Sequence, residues 1–381
     1  MDTAAFARIA DSFFRPALAH VVPYEPGKPA EEVQRELGLE RVVKLASNEG
    51  PYPPFPAALE ALERGLRELN RYPDGGFYHL RRALGERHGV GPEHVIPGAG
   101  ADGLVTYLSH ACLDPGDEAV FGWPSYVSYP IGALKAGGVP TRVPLVDGRY
   151  DLDGLLAAVT PRTKIVYVCN PNNPTGTMVE RADLDAYFER VPEHVLTVLD
   201  EAYFEYVEDP EYADGIEEYV KTGHRVIALR TFSKIYGLAG LRVGYGVGPA
   251  EVVTAIRKVQ LAFDVTQPAQ DAALASLGHE DEVARRRQAN AAGRELLTCG
   301  LVELGLRVPP SVANFLYTEV GEDARPVFEA LLREGMIVRP LGAFGNPGAL
   351  RISVGTEEEN RLFLEAFGRV LSAGGGIGRG C

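Results

Sequence analysis

The chain has 381 residues and a formal net charge of −14 at pH 7, from 38 lysine and arginine residues against 52 aspartate and glutamate residues. Its length predicts two or more domains, and 45% hydrophobic with 24% charged residues is typical of globular proteins. The acidic balance argues against nucleic acid or an anionic membrane as a partner, but it does not exclude a small anion held by a few local cations.

The cysteine pattern and the N-terminal residues indicate the compartment. Cys112, Cys169, Cys299 and Cys381 lie far apart without metal-ligand spacing, which predicts reduced thiols and no metal site. Charged residues interrupt residues 1–20, so we expect no signal peptide there. No stretch approaches the ~18 apolar residues of a membrane-spanning helix. We therefore expect a cytoplasmic protein.

The first part of the chain is predicted to be irregular before it becomes helical. Residues 1–50 are expected to form an arm, because prolines interrupt them. Four prolines between residues 51 and 56 then exclude regular structure. The elements predicted in this part are helices at 6–18, 57–69 and 78–88 and a short strand at 42–46.

From residue 94 onward, apolar runs alternate with helical periodicity, which predicts a mostly parallel α/β sheet with flanking helices. The predicted strands are 94–96, 118–121, 141–145, 164–169, 195–199, 226–229 and 242–246, and helices between them include 104–112, 152–158 and 181–190. A helical region at 249–301 contains the run Arg285-Arg286-Arg287, which we interpret as a solvated face. Residues 302–371 are predicted to form a smaller α+β unit.

Residues 98–103, with the sequence GAGADG, lie between a short strand and a helix and match the GxGxxG pattern of dinucleotide sites. Such a site needs an acidic residue at the end of the next strand, and this strand ends with Phe121-Gly122-Trp123 instead. The dinucleotide hypothesis is therefore weak. Free amides at a helix N-terminus would still bind a phosphate, and the alternative is an ordinary turn.

Two more strand ends carry unusual turns. Residues 121–126, FGWPSY, place a ring where it could cover a flat ligand, although such rings are more often part of the core. Residues 170–176, NPNNPTG, follow an apolar strand, and their prolines and glycine fix a turn from which amide side chains point. Asparagine favours turns in general, so neither segment identifies a site alone.

Two charged residues follow buried strands. Asp200 ends an apolar strand, where a carboxylate needs a cation or several donors unless it caps the next segment. Lys234 lies in residues 231–245, just beyond another apolar strand and near Arg242. A desolvated lysine close to a second cation is a candidate Schiff-base nucleophile, with a surface lysine as the equally good alternative.

The carboxyl ends of parallel strands meet at one crevice in an open α/β sheet, and ligands bind there. We therefore expect the phosphate-binding amides, Asn173, Asp200 and Lys234 to lie at one site. A lysine, an aspartate for a ring nitrogen and a phosphate cradle together indicate pyridoxal 5'-phosphate, PLP, as the cofactor.

In these motifs the chain resembles the fold-type I, aspartate aminotransferase-like PLP enzymes from residue 44 to about residue 360, and among them it is most similar to the histidinol-phosphate aminotransferases. The resemblance implies an α/β fold with a mostly parallel central sheet and flanking helices, a smaller α+β C-terminal domain and an N-terminal arm. The segments that carry it are 24–28, 44–49, 71–74, 100–102, 170–176, 200–203, 233–234 with Arg242, 338–340 and 350–357.

The resemblance also implies a role for each matching residue. Lys234 would bond the cofactor and then act as the base, Asp200 would hold the ring nitrogen, and Tyr203 with Asn173 would contact the ring hydroxyl. Tyr126 would stack on the ring. The residues expected around the cofactor phosphate are Ala101, Asp102, Thr231, Ser233 and Arg242.

Other roles concern the second subunit and the substrate. Tyr72 would reach the phosphate in the neighbouring subunit, which makes a homodimer with active sites at the subunit interface part of the prediction. Arg351 would bind the substrate carboxylate. The residues expected to complete a pocket that admits a phosphate are Tyr24, Asn48 and Arg339.

The resemblance implies transamination of L-histidinol phosphate with 2-oxoglutarate in histidine biosynthesis, giving imidazole acetol phosphate and L-glutamate. The alternatives are an aromatic-amino-acid (phenylalanine) aminotransferase, a phosphoamino-acid decarboxylase and a PLP-binding regulator, which the absence of a basic DNA-binding motif disfavours. The chain departs from the family pattern at Gly50 and Gly103, and the departure at Gly50, in the substrate-facing arm, concerns substrate specificity more than catalysis.

The implied division of the chain has four parts. They are an arm at 1–50 that packs with the small domain and the partner subunit, a large PLP-binding domain at 51–275, a small C-terminal domain at 276–371 and a disordered tail at 372–381.

Overall fold

The protein is described by a computed structural model over residues 14–23 and 27–373. The helices are α1 (Ala30–Leu37), α2 (Pro56–Gly65), α3 (Tyr78–His88), α4 (Gly100–Cys112), α5 (Ser128–Ala136), α6 (Leu152–Ala158), α7 (Arg181–Phe188), α8 (Ala250–Val259), α9 (Gln267–Ser276), α10 (Glu280–Glu303), α11 (Arg325–Arg333) and α12 (Glu357–Ala373). The strands are β1 (Val43–Lys44), β2 (Val95–Gly98), β3 (Glu118–Trp123), β4 (Val139–Pro144), β5 (Thr163–Cys169), β6 (Leu196–Asp200), β7 (Val226–Thr231), β8 (Gly244–Val247), β9 (Phe315–Glu319), β10 (Met336–Ile337), β11 (Arg339–Pro340) and β12 (Ala349–Ser353).

A seven-stranded sheet forms the centre of the fold, in the order β2-β8-β7-β6-β5-β3-β4. Neighbouring strands run parallel except that β8 is antiparallel to both β2 and β7. The central strands are apolar on both faces because helices cover both sides, and residues 165–168 of β5 are fully buried. The predicted α/β fold with a mostly parallel sheet and flanking helices is confirmed.

The sheet brings the segments that carry the predicted site residues to one edge. The carboxyl ends of β2, β3, β5, β6 and β7 lie together there, and because β8 is reversed, its first residue lies at the same edge. In the register, Cys169 is paired with Asp200, and Thr231 is paired with Gly244. Residues that directly follow or precede these positions therefore converge on one crevice.

The C-terminal part is a smaller α+β unit with its own core. The strands β9, β11 and β12 form an antiparallel sheet, and β1 from the N-terminal part pairs with β10. A second hydrophobic cluster joins this unit to α10 and α12, and it includes Val43 and Leu45. The predicted boundaries at residues 50, 275 and 371 stay predictions.

Residues 249–301, predicted as a long helical region, contain three helices, α8, α9 and most of α10. The chain adopts a left-handed conformation at Phe263, with φ 60°, between α8 and α9. The side chain of Thr266 then accepts a hydrogen bond from the amide of Ala269, which caps the start of α9. At the chain ends, residues 372 and 373 continue α12, while 374–381 and most of the helix predicted at 6–18 lie outside the described residues.

None of the helices in residues 14–23 and 27–373 combines the length and the apolar character that crossing a bilayer requires.

The arginine run in α10 is not one solvated face, which corrects the prediction from the sequence. Arg285 has a side chain that is 54% exposed, whereas Arg286 is only 5% exposed. The guanidinium of Arg286 donates to the carbonyl of Ile235 at 3.0 Å and to the carbonyl of Pro53 at 2.7 Å. Consecutive residues of a helix point in different directions, so one arginine faces water while the next joins two loops.

We expect Arg286→Ala to lower the free energy of unfolding by about 2–4 kcal/mol, because it removes the charged donor from the buried carbonyl of Ile235 and from the carbonyl of Pro53 and leaves a cavity at a buried side chain. Arg285→Ala is the matched control, since it removes an exposed ion pair with Glu282, and a loss below about 1 kcal/mol is expected. Unfolding in urea measures both values. Equal losses for the two variants would contradict the role given to Arg286.

Candidate active site

A cavity of about 550 Å³ opens at the edge of the sheet where the strand ends meet. The predicted site residues that line it are Asn48, Ala101, Asp102, Tyr126, Asn173, Asp200, Tyr203, Thr231, Ser233, Lys234, Arg242 and Arg351. They come from the carboxyl ends of five strands, from the segment before β8, from the loop after β1 and from β12. The cavity therefore joins segments that are far apart in the sequence.

Lys234 is half-buried in this cavity, three residues beyond the end of β7. Burial lowers the pKa of its amine to about 8, and the positive charges of Arg351 and Arg242 act in the same direction. Its Nζ lies 5.6 Å from the centroid of the Tyr203 ring. An amine with this pKa is partly neutral near pH 7 and can act as a nucleophile or as a base.

Asp200 lies at the end of β6 and is only 3% exposed. The hydroxyl of Tyr129 donates to its Oδ2 at 2.7 Å, and the amide of Ala202 donates to its Oδ1 at 3.2 Å. Burial raises the pKa of the carboxyl, while these two donors favour the ionised form. A buried carboxylate at the cavity wall is suited to a cationic group of a ligand.

The start of α4 forms a cradle for an anion. Gly100 has φ 73°, and a Cβ there would lie 2.8 Å from Nη2 of Arg242, so a side chain would collide with the guanidinium. The first amides of α4 and the Arg242 side chain are thus held close together. Amides at a helix N-terminus together with an arginine fork bind a phosphate.

Two hydroxyl groups extend the cradle from β7. Thr231 donates to the hydroxyl of Ser233 at 3.0 Å, and Nη1 of Arg242 lies 3.4 Å from the same oxygen. The carboxylate of Asp102 accepts hydrogen bonds from Tyr126, at 3.1 Å, and from Ser128. These bonds hold the carboxylate of Asp102 against Tyr126 and Ser128. The group of Asp102 that is suited to bind an anion is therefore its backbone amide.

A hydrogen-bond network closes the opposite wall. The side-chain amide of Asn48 donates to the Tyr203 hydroxyl at 2.9 Å. Arg351 donates from Nη1 to Oδ1 of Asn173 and from Nη2 to the carbonyl of Ala46 at 2.8 Å. Arg351 therefore links the C-terminal unit to the large sheet while its guanidinium faces the cavity.

Three predicted site residues lie elsewhere. Tyr72 is 82% exposed and stacks on Phe263, with ring centroids 4.5 Å apart, away from the cavity of its own chain. Arg339 is buried but does not line the cavity, and its Cζ lies 5.8 Å from the ring centroid of Phe344, which does. Tyr24 lies outside the described residues.

The departure from the family pattern at Gly50 has a structural counterpart. A Cβ at Gly50 would lie 3.3 Å from the carbonyl oxygen of Lys234, which is closer than most side chains allow. The backbone of the substrate-facing segment thus packs directly on the loop that carries the lysine.

Two residues at the site were not predicted from the sequence. Tyr129, the second residue of α5, contacts Asp200, and Cys169 lines the cavity at the end of β5. Burial raises the pKa of the Cys169 thiol, so it stays protonated.

The residues at this site fit PLP. The cradle around Gly100 and Arg242 suits its phosphate, the buried Asp200 suits its ring nitrogen, and the amine of Lys234 suits its aldehyde. Within the two described ranges, no cluster of three or more His, Cys, Asp or Glu residues is arranged to hold a metal ion.

Residues 40–367 match the family described as aminotransferase class I and II. The histidinol-phosphate aminotransferase of Moorella thermoacetica is 45% identical over 359 residues, which cover 94% of this chain and 93% of that protein. Histidinol-phosphate aminotransferase 2 of Pseudomonas aeruginosa is 43% identical over 360 residues, which cover 94% and 97% of the two chains.

Solved structures give the same result. The crystal structure of histidinol-phosphate aminotransferase from Sinorhizobium meliloti in complex with PLP has a TM-score of 0.87 and 29% identity, and covers 96% of this chain and 99% of its own. The aspartate aminotransferase of Thermus thermophilus with maleate has a TM-score of 0.82 and 29% identity, and covers 95% and 100%.

Proposed function

Because this chain belongs to the class I and II aminotransferase family and is a PLP-dependent enzyme of that family, we propose that it transfers the amino group of L-histidinol phosphate to 2-oxoglutarate. The products would be imidazole acetol phosphate and L-glutamate, in a step of histidine biosynthesis. Relatives with this name at 42–45% identity support the choice of donor.

One observation within the structure carries the proposal. Arg339 and Arg351 are directly opposite each other in the antiparallel pair of β11 and β12, and both are buried. Opposite residues in such a pair project to the same face of the sheet. Arg351 lines the cavity, and Arg339 lies beside it against Phe344. Two planar, permanently charged forks at this end of the cavity suit a substrate with two anionic groups, such as 2-oxoglutarate, or one with a phosphate.

In the proposed mechanism each site residue binds one group of the cofactor or substrate, or transfers one proton. Bound PLP supplies an electron sink for the bond that breaks at the substrate Cα. Asp200 would keep the ring nitrogen protonated, and Asn173 and Tyr203 would hold the ring hydroxyl. Arg351 binds the substrate carboxylate of glutamate and orients Cα. Neutral Lys234 would accept the proton from Cα at its Nζ and would then deliver it to the cofactor carbon that had carried the aldehyde.

The pKa of Lys234 leads to a testable pH dependence. We expect the rate at which the cofactor-free protein bonds PLP to rise about tenfold per pH unit below pH 8 and to level off above it, because only the neutral amine is a nucleophile. Stopped-flow absorbance after mixing with PLP measures this rate. A rate that does not change between about pH 6 and pH 9 would show that the amine is not the titrating group.

The amino donor is tested by steady-state kinetics with 2-oxoglutarate as acceptor. We expect kcat/KM for L-histidinol phosphate to exceed that for L-phenylalanine by at least tenfold, or about 1.4 kcal/mol. Since a phenyl ring suits a similar pocket, a tenfold preference for phenylalanine would instead identify an aromatic aminotransferase. Release of carbon dioxide from a phosphoamino acid would identify a decarboxylase.

We also propose that the enzyme is a homodimer of the cytoplasm in which Tyr72 reaches the phosphate site of the second subunit. The exposed stacked pair of Tyr72 and Phe263 supports an interface at that surface. Sedimentation should give about twice the chain mass of 41.2 kDa. A monomer at the enzyme concentration used for activity assays would contradict an active site shared between two subunits.

A further inference from the structure

A buried tyrosine lies behind the carboxylate that faces the cofactor ring. Tyr129 is fully buried near the start of α5, and its hydroxyl donates to Oδ2 of Asp200 at 2.7 Å. Burial raises the pKa of this hydroxyl well above its usual value, so it remains a donor at all working pH values. Nothing in the reaction as described so far uses it.

The packing around Tyr129 leaves its hydroxyl little freedom. Its ring stacks on Tyr167 with centroids 4.5 Å apart and planes at 12°, and it meets Tyr126 edge-on at 5.6 Å and 82°. Tyr126 itself is tied to Asp102 by its hydroxyl. The aromatic core therefore fixes where the donor points, and the direction of the Asp200 carboxylate follows from it.

We propose that Tyr129 is a positioning residue for the cofactor ring, because it orients the Asp200 carboxylate and favours its ionised form. The other donor to Asp200, the amide of Ala202, is longer at 3.2 Å, so the hydroxyl is the stronger constraint. A carboxylate held in this way presents its remaining lone pairs to the cavity, where the protonated ring nitrogen needs them. The proposal depends on the PLP site and not on the choice of amino donor.

The test separates this role from ordinary packing by the use of two ligands. The full-length protein, freed of cofactor, is titrated with PLP and with 1-deazapyridoxal 5'-phosphate, an analogue that has a carbon in place of the ring nitrogen. We expect Tyr129→Phe to weaken PLP binding by tenfold or more and analogue binding by less than about threefold. The difference arises because the analogue has no ring nitrogen for Asp200 to hold.

Tyr167→Phe is the matched control. It removes a buried tyrosine hydroxyl in the same stack, whose partner is Ser109 at 3.3 Å and not Asp200. We expect the affinities of this variant for both ligands to stay within about threefold of the unaltered protein. Equal weakening of both ligands by Tyr129→Phe, or no weakening of either, would overturn the proposal.

A second measurement applies if Tyr129→Phe does not fold. In the unaltered holoenzyme, the nitrogen-15 chemical shift of labelled PLP should remain that of a protonated ring nitrogen from about pH 6 to pH 9. A shift typical of a neutral pyridine in this range would overturn the proposal, because it would mean that the carboxylate is not held ionised. A preference for phenylalanine as amino donor would leave both measurements unchanged.

Discussion

Lys234→Ala is expected to lower kcat for transamination by about 10⁵-fold, the size of loss seen when an enzyme loses the residue that carries its covalent and proton-transfer chemistry. The half-buried amine is within the cavity, and its pKa of about 8 makes it available as a neutral base. Alanine at this position removes both the bond to the cofactor and the base next to Cα. The loss should appear in kcat for either substrate.

Lys135 offers a matched control, because it also lines the cavity but lies on α5. Lys135→Ala is expected to change kcat by less than about threefold. Reduction with borohydride followed by peptide mapping should locate the cofactor on Lys234 in the unaltered protein. If Lys234→Ala still gave a reduced adduct on another lysine of the site, the role assigned to Lys234 would be wrong.

Asp200→Asn is expected to lower kcat by about 10²-fold to 10³-fold, as for the loss of one preorganised electrostatic partner. The substitution keeps the shape of the side chain but removes the charge that stabilises a protonated ring nitrogen. The effect should be large because the site is buried, where an unpaired cation costs more than in water.

Cys169→Ser serves as the control for Asp200→Asn, since Cys169 is the neighbour of Asp200 in the sheet register and also lines the cavity. We expect its kcat to remain within about threefold. A measured loss below tenfold for Asp200→Asn would show that the enzyme does not depend on ring protonation.

The sheet and the location of most site residues could be predicted because both depend on local patterns. Apolar runs ending in polar turns mark the strand ends, and parallel strands bring those ends together. Asp200 and Lys234 were placed at the cavity by this argument alone. Predicting that these two residues lie at one site required no knowledge of how the helices pack.

Other contacts could not be predicted, because they depend on the phase of a helix or on distant packing. Arg286 lies within a charged run, and its sequence neighbours give no sign that it reaches the carbonyls of Pro53 and Ile235. Tyr129 resembles any core tyrosine in the sequence, which gives no sign that its hydroxyl donates to Asp200 at the end of β6. Arg339 lies against Phe344, and of these two residues Phe344 lines the cavity, an arrangement that a motif alone does not contain.

The reversed direction of β8 limits how the chain can vary in length. The pairing of Thr231 with Gly244 fixes both ends of the segment that contains Lys234 and Arg242. An inserted residue between these two side chains would displace one of them relative to the other, because neither strand can slide without losing its partners. Surface loops commonly accept insertions, but this segment has a set length between the side chains proposed to make the covalent and the ionic contacts with the cofactor.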